Sequence, residues 1–160
     1  MTIDPAGEFA YIANASFDAP GRISAYSINA TTGALTPVAG SPFATLAGPT
    51  RIVIDPQGAF LYLACNGAPT HFGGLLGYSI NRSTGALTPL PGSPFSPPDH
   101  YSMAIDIDSS GKYIYETRWR SSNPAALRTL SIASTGGLEE VPNSRLSLEP
   151  GWSVGIALTQ

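Results

Sequence analysis

The sequence repeats itself three times at intervals of about fifty residues, and this period constrains the fold more than any single motif. Segment 3–11 returns at 54–62 and again at 107–115, with Asp4, Asp55 and Asp108 at equivalent positions. A second marker, Tyr-Ser-Ile at 26–28, returns at 78–80 and as Leu-Ser-Ile at 130–132. Because two independent markers keep the same step, the repeat is real, and its length indicates propeller blades or solenoid units.

Composition favours many short strands joined by tight turns. Charged residues make up only 12% of the chain, whereas 17 glycines and 15 prolines are present. Lys112 is the only lysine, so the basic surface that nucleic acids require is absent. No apolar run approaches the ~18 residues of a membrane-spanning helix. We therefore expect an all-β protein with neither a nucleic acid nor a membrane as its partner.

The sequence does not indicate the cellular compartment of the protein. Cys65 is the single cysteine, which excludes an intramolecular disulfide. No positively charged segment followed by a hydrophobic stretch is visible at the N-terminus, so no signal peptide is predicted. The chain begins inside its first repeat, and we expect a truncated N-terminus from which such a segment would be missing.

The second repeat reads as a four-stranded antiparallel unit. Strands are predicted at 51–54, 59–65, 75–80 and 86–90, with an Asp-Pro-Gln-Gly turn at 55–58. Both faces of the strand at 59–65 are apolar, which predicts burial on both sides. Pro89 in the last strand indicates a sheet edge, where the missing N–H is not needed. An edge in every repeat favours propeller blades over a solenoid.

The motifs then resemble a known family. Tyr11-Ile12-Ala13-Asn14 is similar to the Tyr-Val-Thr-Asn tetrapeptide of YVTN propeller repeats. The pattern across 25–43, with its Gly-Ser-Pro-Phe tail repeated at 92–95, resembles the lactonase family of seven-bladed β-propellers. That family includes phosphogluconolactonases and carboxymuconate-cyclising enzymes. The shared residues are turn and packing residues, so the resemblance implies a fold more firmly than an activity.

About three blades are predicted. The expected units are 1–48, a first blade lacking most of its inner strand, 49–100, 101–151, and 152–160, the inner strand of a following or closing blade. Three blades do not close a ring, since rings use roughly four to eight. Two alternatives follow: missing blades of a longer chain, or a homodimer that closes a six-bladed ring by exchanging C-terminal strands.

Binding is expected on the face that carries the loops between strands two and three and between blades. The unusual residues of this chain fall there: Asp18, His71, Asp99, His100, Tyr101, Trp119, Arg120 and Trp152. Variable loops on a repeated scaffold are where binding resides. The alternative is that the aromatic side chains only cover the seams between blades.

The third repeat carries charges inside its strands. Glu116 and Arg118 stand where the second repeat has Leu63 and Cys65, and they share one side of the strand. A buried charge needs a partner, so the sequence predicts that Glu116 and Arg118 pair with each other. The pair is either an ion pair between blades or part of a polar channel site.

The lactonase resemblance implies a His, Arg and Glu site near the central channel. Under this hypothesis His100 is the base, Glu116 orients it and Arg118 stabilises the charge of the oxyanion, with a sugar lactone as ligand. The sequence favours the competing hypothesis, that the chain is a scaffold that binds a ligand or a protein without catalysis. His71 and His100 have no cysteine or histidine at metal spacing, so neither a metal nor a cofactor is expected.

Overall fold

A computed structural model of the chain describes residues 1–16, 19–67, 71–96, 101–120 and 123–148. These residues form three antiparallel sheets and no helix, which confirms the all-β prediction and the partial propeller. We call the sheets blades 1, 2 and 3 in chain order.

Each blade is a meander in which the first four strands pair in order, and in blades 1 and 3 a short fifth strand pairs with the third. Blade 1 contains β1 (Thr2–Ile3), β2 (Phe9–Asn14), β3 (Arg22–Ile28), β4 (Leu35–Pro37) and β5 (Phe43–Ala44). Blade 2 contains β6 (Pro49–Ile54), β7 (Phe60–Cys65), β8 (Gly74–Ile80) and β9 (Leu87–Pro89). Blade 3 contains β10 (Tyr101–Ile107), β11 (Tyr113–Arg120), β12 (Asn123–Ile132), β13 (Leu138–Glu140) and β14 (Leu146–Ser147).

The first strand of each blade lies on the inside of the arc. β6 contacts both β1 and β10, so the three first strands gather along one line. The edge strands β4 and β9 lie at the other end of their blades and end at Pro37 and Pro89, where a ladder N–H is not needed.

The Asp-Pro-x-Gly turns are held by the aspartate side chain. In blade 2, Asp55 accepts hydrogen bonds from the backbone N–H groups of Gln57, Ala59 and Phe60, at 3.1, 2.7 and 2.6 Å. Gly58 has φ +67°, a conformation that strains any residue with a Cβ. The same carboxylate bonds recur at the two equivalent aspartates. One turn chemistry thus starts the second strand of every blade.

Blade 2 is buried on both faces, as its sequence predicts. Leu61, Leu63 and Cys65 pack against blade 1, and Tyr62 and Ala64 pack against blade 3. All five side chains are fully shielded from solvent. The core therefore consists of two seams, one on each side of blade 2.

The Gly-Ser-Pro-Phe tail of blade 1 explains β5, one of the two short strands, β5 and β14, that the sequence does not predict. Ser41 accepts a hydrogen bond from the backbone N–H of Ala25, and Ser93 accepts one from Gly77, at 2.9 and 3.1 Å. These bonds fold the chain back over its own blade, and in blade 1 they lead into the two-residue strand β5. A two-residue strand is too short to show the alternation of apolar and polar residues from which strands are predicted. The strand predicted at 153–158 lies outside the described residues.

Candidate functional site

Blade 3 places charged side chains where blade 2 places leucines. Glu116 on β11 lies directly opposite Arg128 on β12, as Leu63 lies opposite Leu76 in blade 2. Ile105, the partner of Glu116 on β10, packs into the core between blades 2 and 3. The charges therefore point into the seam between those blades. We call the following polar group the seam cluster: Ser96, Ser102, Glu116, Arg118, Arg128 and Glu140.

Arg128 is the centre of the seam cluster. Its Nε donates to Glu116, its Nη1 donates to Glu140 Oε2 at 3.1 Å, and its Nη2 donates to Ser96 Oγ at 2.8 Å. Glu116 is fully buried and Arg128 is 3% exposed. Because Ser96 belongs to the segment that leads from blade 2 into blade 3, this one guanidinium ties that segment to two strands.

Glu140 extends the network towards solvent. Arg145 donates to both of its carboxylate oxygens, one of them at 2.8 Å from Nη2. The hydrogen bonds from Arg145 and then from Arg128 lower the pKa of Glu140 to about 2, against a burial effect that raises it. The carboxylate is therefore ionised at neutral pH.

Arg118 lies beside this pair in a positive environment. Burial, and next the charge of Arg128, lower the pKa of Arg118, while Glu116 opposes the shift. Ser102 faces Arg118 across β10 and β11. Within the described part of the chain, Ser102 Oγ and Glu116 Oε1 are buried oxygens without a hydrogen-bond partner. The cluster thus keeps unused hydrogen-bonding capacity next to Arg118.

The ion pair of Glu116 differs from the pair that the sequence predicts. The sequence predicts Arg118 as its partner, but Arg128 holds the carboxylate. Residues two apart on a strand have Cβ atoms about 7 Å apart, whereas directly opposite residues lie within about 5.5 Å. The signal was present in the sequence, because Arg128 occupies the repeat position of Leu76.

The structure places four of the predicted loop-face residues at one end of the blades. A Cβ on Gly67 would lie 2.9 Å from the backbone oxygen of His71 and 3.0 Å from the Tyr101 ring. Phe72, next to His71, is 64% exposed. Trp119 pairs with Tyr101 across β10 and β11, and Arg120 ends β11. The other predicted residues lie outside the described residues: Asp18, Asp99, His100 and Trp152.

Across the described ranges, no three His, Cys, Asp or Glu side chains are grouped so that they would hold a metal ion. A helix long and apolar enough to cross a membrane is likewise absent from these ranges.

Repeated antiparallel blades with inner first strands and proline-bearing edges define the chain as part of a β-propeller. The family model "Lactonase, 7-bladed beta-propeller" matches residues 9–149. The chain therefore belongs to the lactonase family of seven-bladed propellers, as its motifs suggested.

Solved structures support the same fold. A candidate 6-phosphogluconolactonase from Bacteroides uniformis superposes with a TM-score of 0.71 at 22% identity, over 92% of this chain and 40% of that one. A second, from Bacteroides fragilis, gives a TM-score of 0.68 at 19% identity, over 96% and 39%. A Lactobacillus plantarum protein gives 0.57 at 18% identity, over 85% and 40%. The chain spans about 40% of the length of these structures, and no curated protein sequence matches it.

Proposed function

We propose that this chain is a binding segment of a lactonase-family propeller, and that its loop face holds a sugar-derived lactone or the corresponding acid. The observation that carries this proposal is that the backbone oxygen of His71 and the ring of Tyr101 meet at Gly67, next to the exposed Phe72. Aromatic surface with a few polar groups is the usual lining of a small-molecule site. The variable loops of a repeated scaffold are its usual place.

Binding is favoured over catalysis because the carboxylate offered for chemistry is already engaged. Glu116 is fully buried and accepts a hydrogen bond from Arg128. In the enzymatic alternative Glu116 orients the base His100, which requires a carboxylate that faces the imidazole. The Glu116 carboxylate is instead turned to Arg128 inside the seam. The seam cluster is better suited to fixing Ser96, which follows the last strand of blade 2.

Calorimetric titration with gluconate and with glucono-1,5-lactone tests this proposal. We expect binding that Tyr101→Ala and Phe72→Ala each weaken at least fivefold. Gln57→Ala is the control, because Gln57 lies in the exposed turn at the opposite end of the blade. An absence of binding to both compounds would contradict the proposal, as would binding that neither aromatic substitution changes.

A second candidate is lactone hydrolysis, favoured by membership of the lactonase family and by the fold shared with the two Bacteroides proteins. This candidate gives His100 the role of base and Arg118 that of oxyanion donor. Glu116 has the role of orienting His100. Hydrolysis requires both a base for water and donors for the oxyanion.

A panel of sugar lactones assayed by proton release separates the two candidates. Hydrolysis above background that both His100→Ala and Arg118→Ala abolish, with the circular dichroism spectrum unchanged, would replace the binding proposal by the enzymatic one. Gln57→Ala again serves as the control. Activity retained in both variants would leave an enzyme whose site lies elsewhere.

A further inference from the structure

The two seams of the protein are joined by the same tyrosine contact. Tyr11 on blade 1 donates from its hydroxyl to the backbone oxygen of Gly85 on blade 2, at 3.0 Å. Tyr62 on blade 2 donates to Gly136 on blade 3, at 2.8 Å. Both acceptors lie in the turn before the edge strand, and both glycines have positive φ. Each blade therefore uses a tyrosine to hold the turn of the next.

The aromatic residue two positions earlier completes the contact. A Cβ on Gly85 would overlap the ring of Phe9, and one on Gly136 would overlap the ring of Phe60. Only a glycine turn leaves room for that ring. The seam thus has a donor side, an aromatic residue followed two positions later by tyrosine, and an acceptor side, the glycine turn.

Blade 3 presents a complete donor side that no described residue covers. Tyr113 and Tyr115 occupy the positions of Phe60 and Tyr62 in the repeat. Tyr113 is 40% exposed and Tyr115 is half-buried, whereas Tyr62 is fully buried. The outer face of blade 3 is therefore built for the same docking that blades 1 and 2 use.

Blade 1 presents the matching acceptor side. Gly33 stands at the position of Gly85, has φ +70°, and would find nothing within 4 Å of an added Cβ. Leu35 is 52% exposed, although its counterpart Leu87 in blade 2 is 6% exposed. The outer face of blade 1 is thus an open copy of the surface that blade 2 offers to blade 1.

The first seam contains a second hydrogen bond that runs in the opposite direction, and the two outer faces carry both of its groups. Tyr78 on blade 2 donates back to the backbone oxygen of Ala44 on blade 1, at 2.8 Å. The repeat places Tyr26 on blade 1 at the position of Tyr78, and Ser147 on blade 3 at that of Ala44. Tyr26 is half-buried and Ser147 is exposed. Donor and acceptor therefore lie on the two outer faces in the same arrangement as in the first seam.

We propose that a second copy of this chain docks head to tail, with the glycine turn of its blade 1 on Tyr113 and Tyr115 of blade 3. In this seam Tyr115 donates to the Gly33 backbone oxygen, and Tyr26 of the partner donates to the Ser147 backbone oxygen. Two such seams close a pair of copies into six blades, inside the range of about four to eight that forms rings. Such a heterologous contact forms a ring when its rotation closes.

Light scattering during size-exclusion chromatography of the full chain tests this proposal. We expect a dimer that Tyr115→Phe weakens roughly fivefold for each seam, the usual effect of one lost hydrogen bond. Lys112→Ala, an exposed change in the turn before β11, should leave the dimer unchanged. A monomer across micromolar concentrations would overturn the proposal, as would an assembly that Tyr115→Phe leaves intact.

A mixing experiment tests the head-to-tail geometry itself. Leu35→Arg places a charge on the acceptor side and Tyr113→Asp one on the donor side, and each alone should give monomers. An equimolar mixture should dimerise, because it contains one unaltered seam and a second in which the new charges are opposite. If the mixture stays monomeric while the unmodified chain dimerises, the two faces do not meet and the head-to-tail arrangement is wrong.

Discussion

Glu116 and Arg128 face each other across two strands of blade 3 and form a buried ion pair at positions where the preceding blade has two leucines. The two pairs occupy the same position in the strand register of their blades, and they differ in their side chains. Removing two charges from water costs several kcal/mol for each ion. An apolar pair would fill this site at lower cost, as Leu63 and Leu76 show. We infer that the charges are kept for the position they give to neighbouring groups rather than for stability.

The ion pair therefore predicts an unusual pattern in a double-mutant cycle. Arg128→Leu alone leaves Glu116 buried without its counter-ion and should lower the free energy of unfolding by about 3–5 kcal/mol. Adding Glu116→Leu rebuilds the leucine pair of blade 2 and should restore stability to within about 1 kcal/mol, or raise it. Urea unfolding followed by circular dichroism measures both. A double variant less stable than Arg128→Leu would show that the pair is a net stabiliser.

Glu140 predicts how stability depends on pH. Its pKa in the folded protein is about 2, below the ordinary value of 4.5. A depressed pKa contributes stability that is fully present above pH ~4.5 and is lost as the pH falls towards 2. The side chain is 27% exposed, so solvent screening reduces the effect to about 1–2 kcal/mol.

Glu140→Gln isolates that contribution. The variant should be less stable than the unmodified chain at pH 6, and the difference should shrink as the pH approaches 2. Glu139→Gln is the matched control, because Glu139 neighbours Glu140 on β13 and forms no ion pair with any described residue. A difference that stays constant from pH 6 to pH 2 would contradict the assignment.

The repeat made most of the fold predictable, because each signal is local. Asp55 and Gly58 specify the turn within four residues, and the apolar run at 59–65 specifies a strand buried on both sides. The partner of Glu116 was not predictable in this way, because it depends on which residue of β12 lies opposite. Comparison with the second repeat would have identified it, since Arg128 replaces Leu76.

The inter-blade tyrosine gives a further prediction about stability. Tyr62→Phe removes only the hydroxyl and leaves the buried oxygen of Gly136 without that donor, so we expect a loss of about 1–2 kcal/mol. Tyr113→Phe is the matched control, because that side chain is 40% exposed and its change should cost less than about 0.5 kcal/mol. Urea unfolding at low protein concentration measures both. Equal effects of the two substitutions would show that the Tyr62 bond adds nothing to the seam.

Cys65 offers a direct report on whether the first seam stays closed. Its side chain is fully buried between blades 1 and 2, and burial raises the pKa of the thiol to about 12. The reactive form is the thiolate, so the native protein should resist iodoacetamide at pH 8, whereas the urea-unfolded chain should be labelled fully. Mass spectrometry over time follows the reaction. Leu63→Ala, which leaves a cavity in the same core, should speed native-state labelling by at least tenfold. Rapid labelling of the unmodified native protein would mean that blades 1 and 2 separate readily, and that the packing of this seam is weaker than its burial indicates.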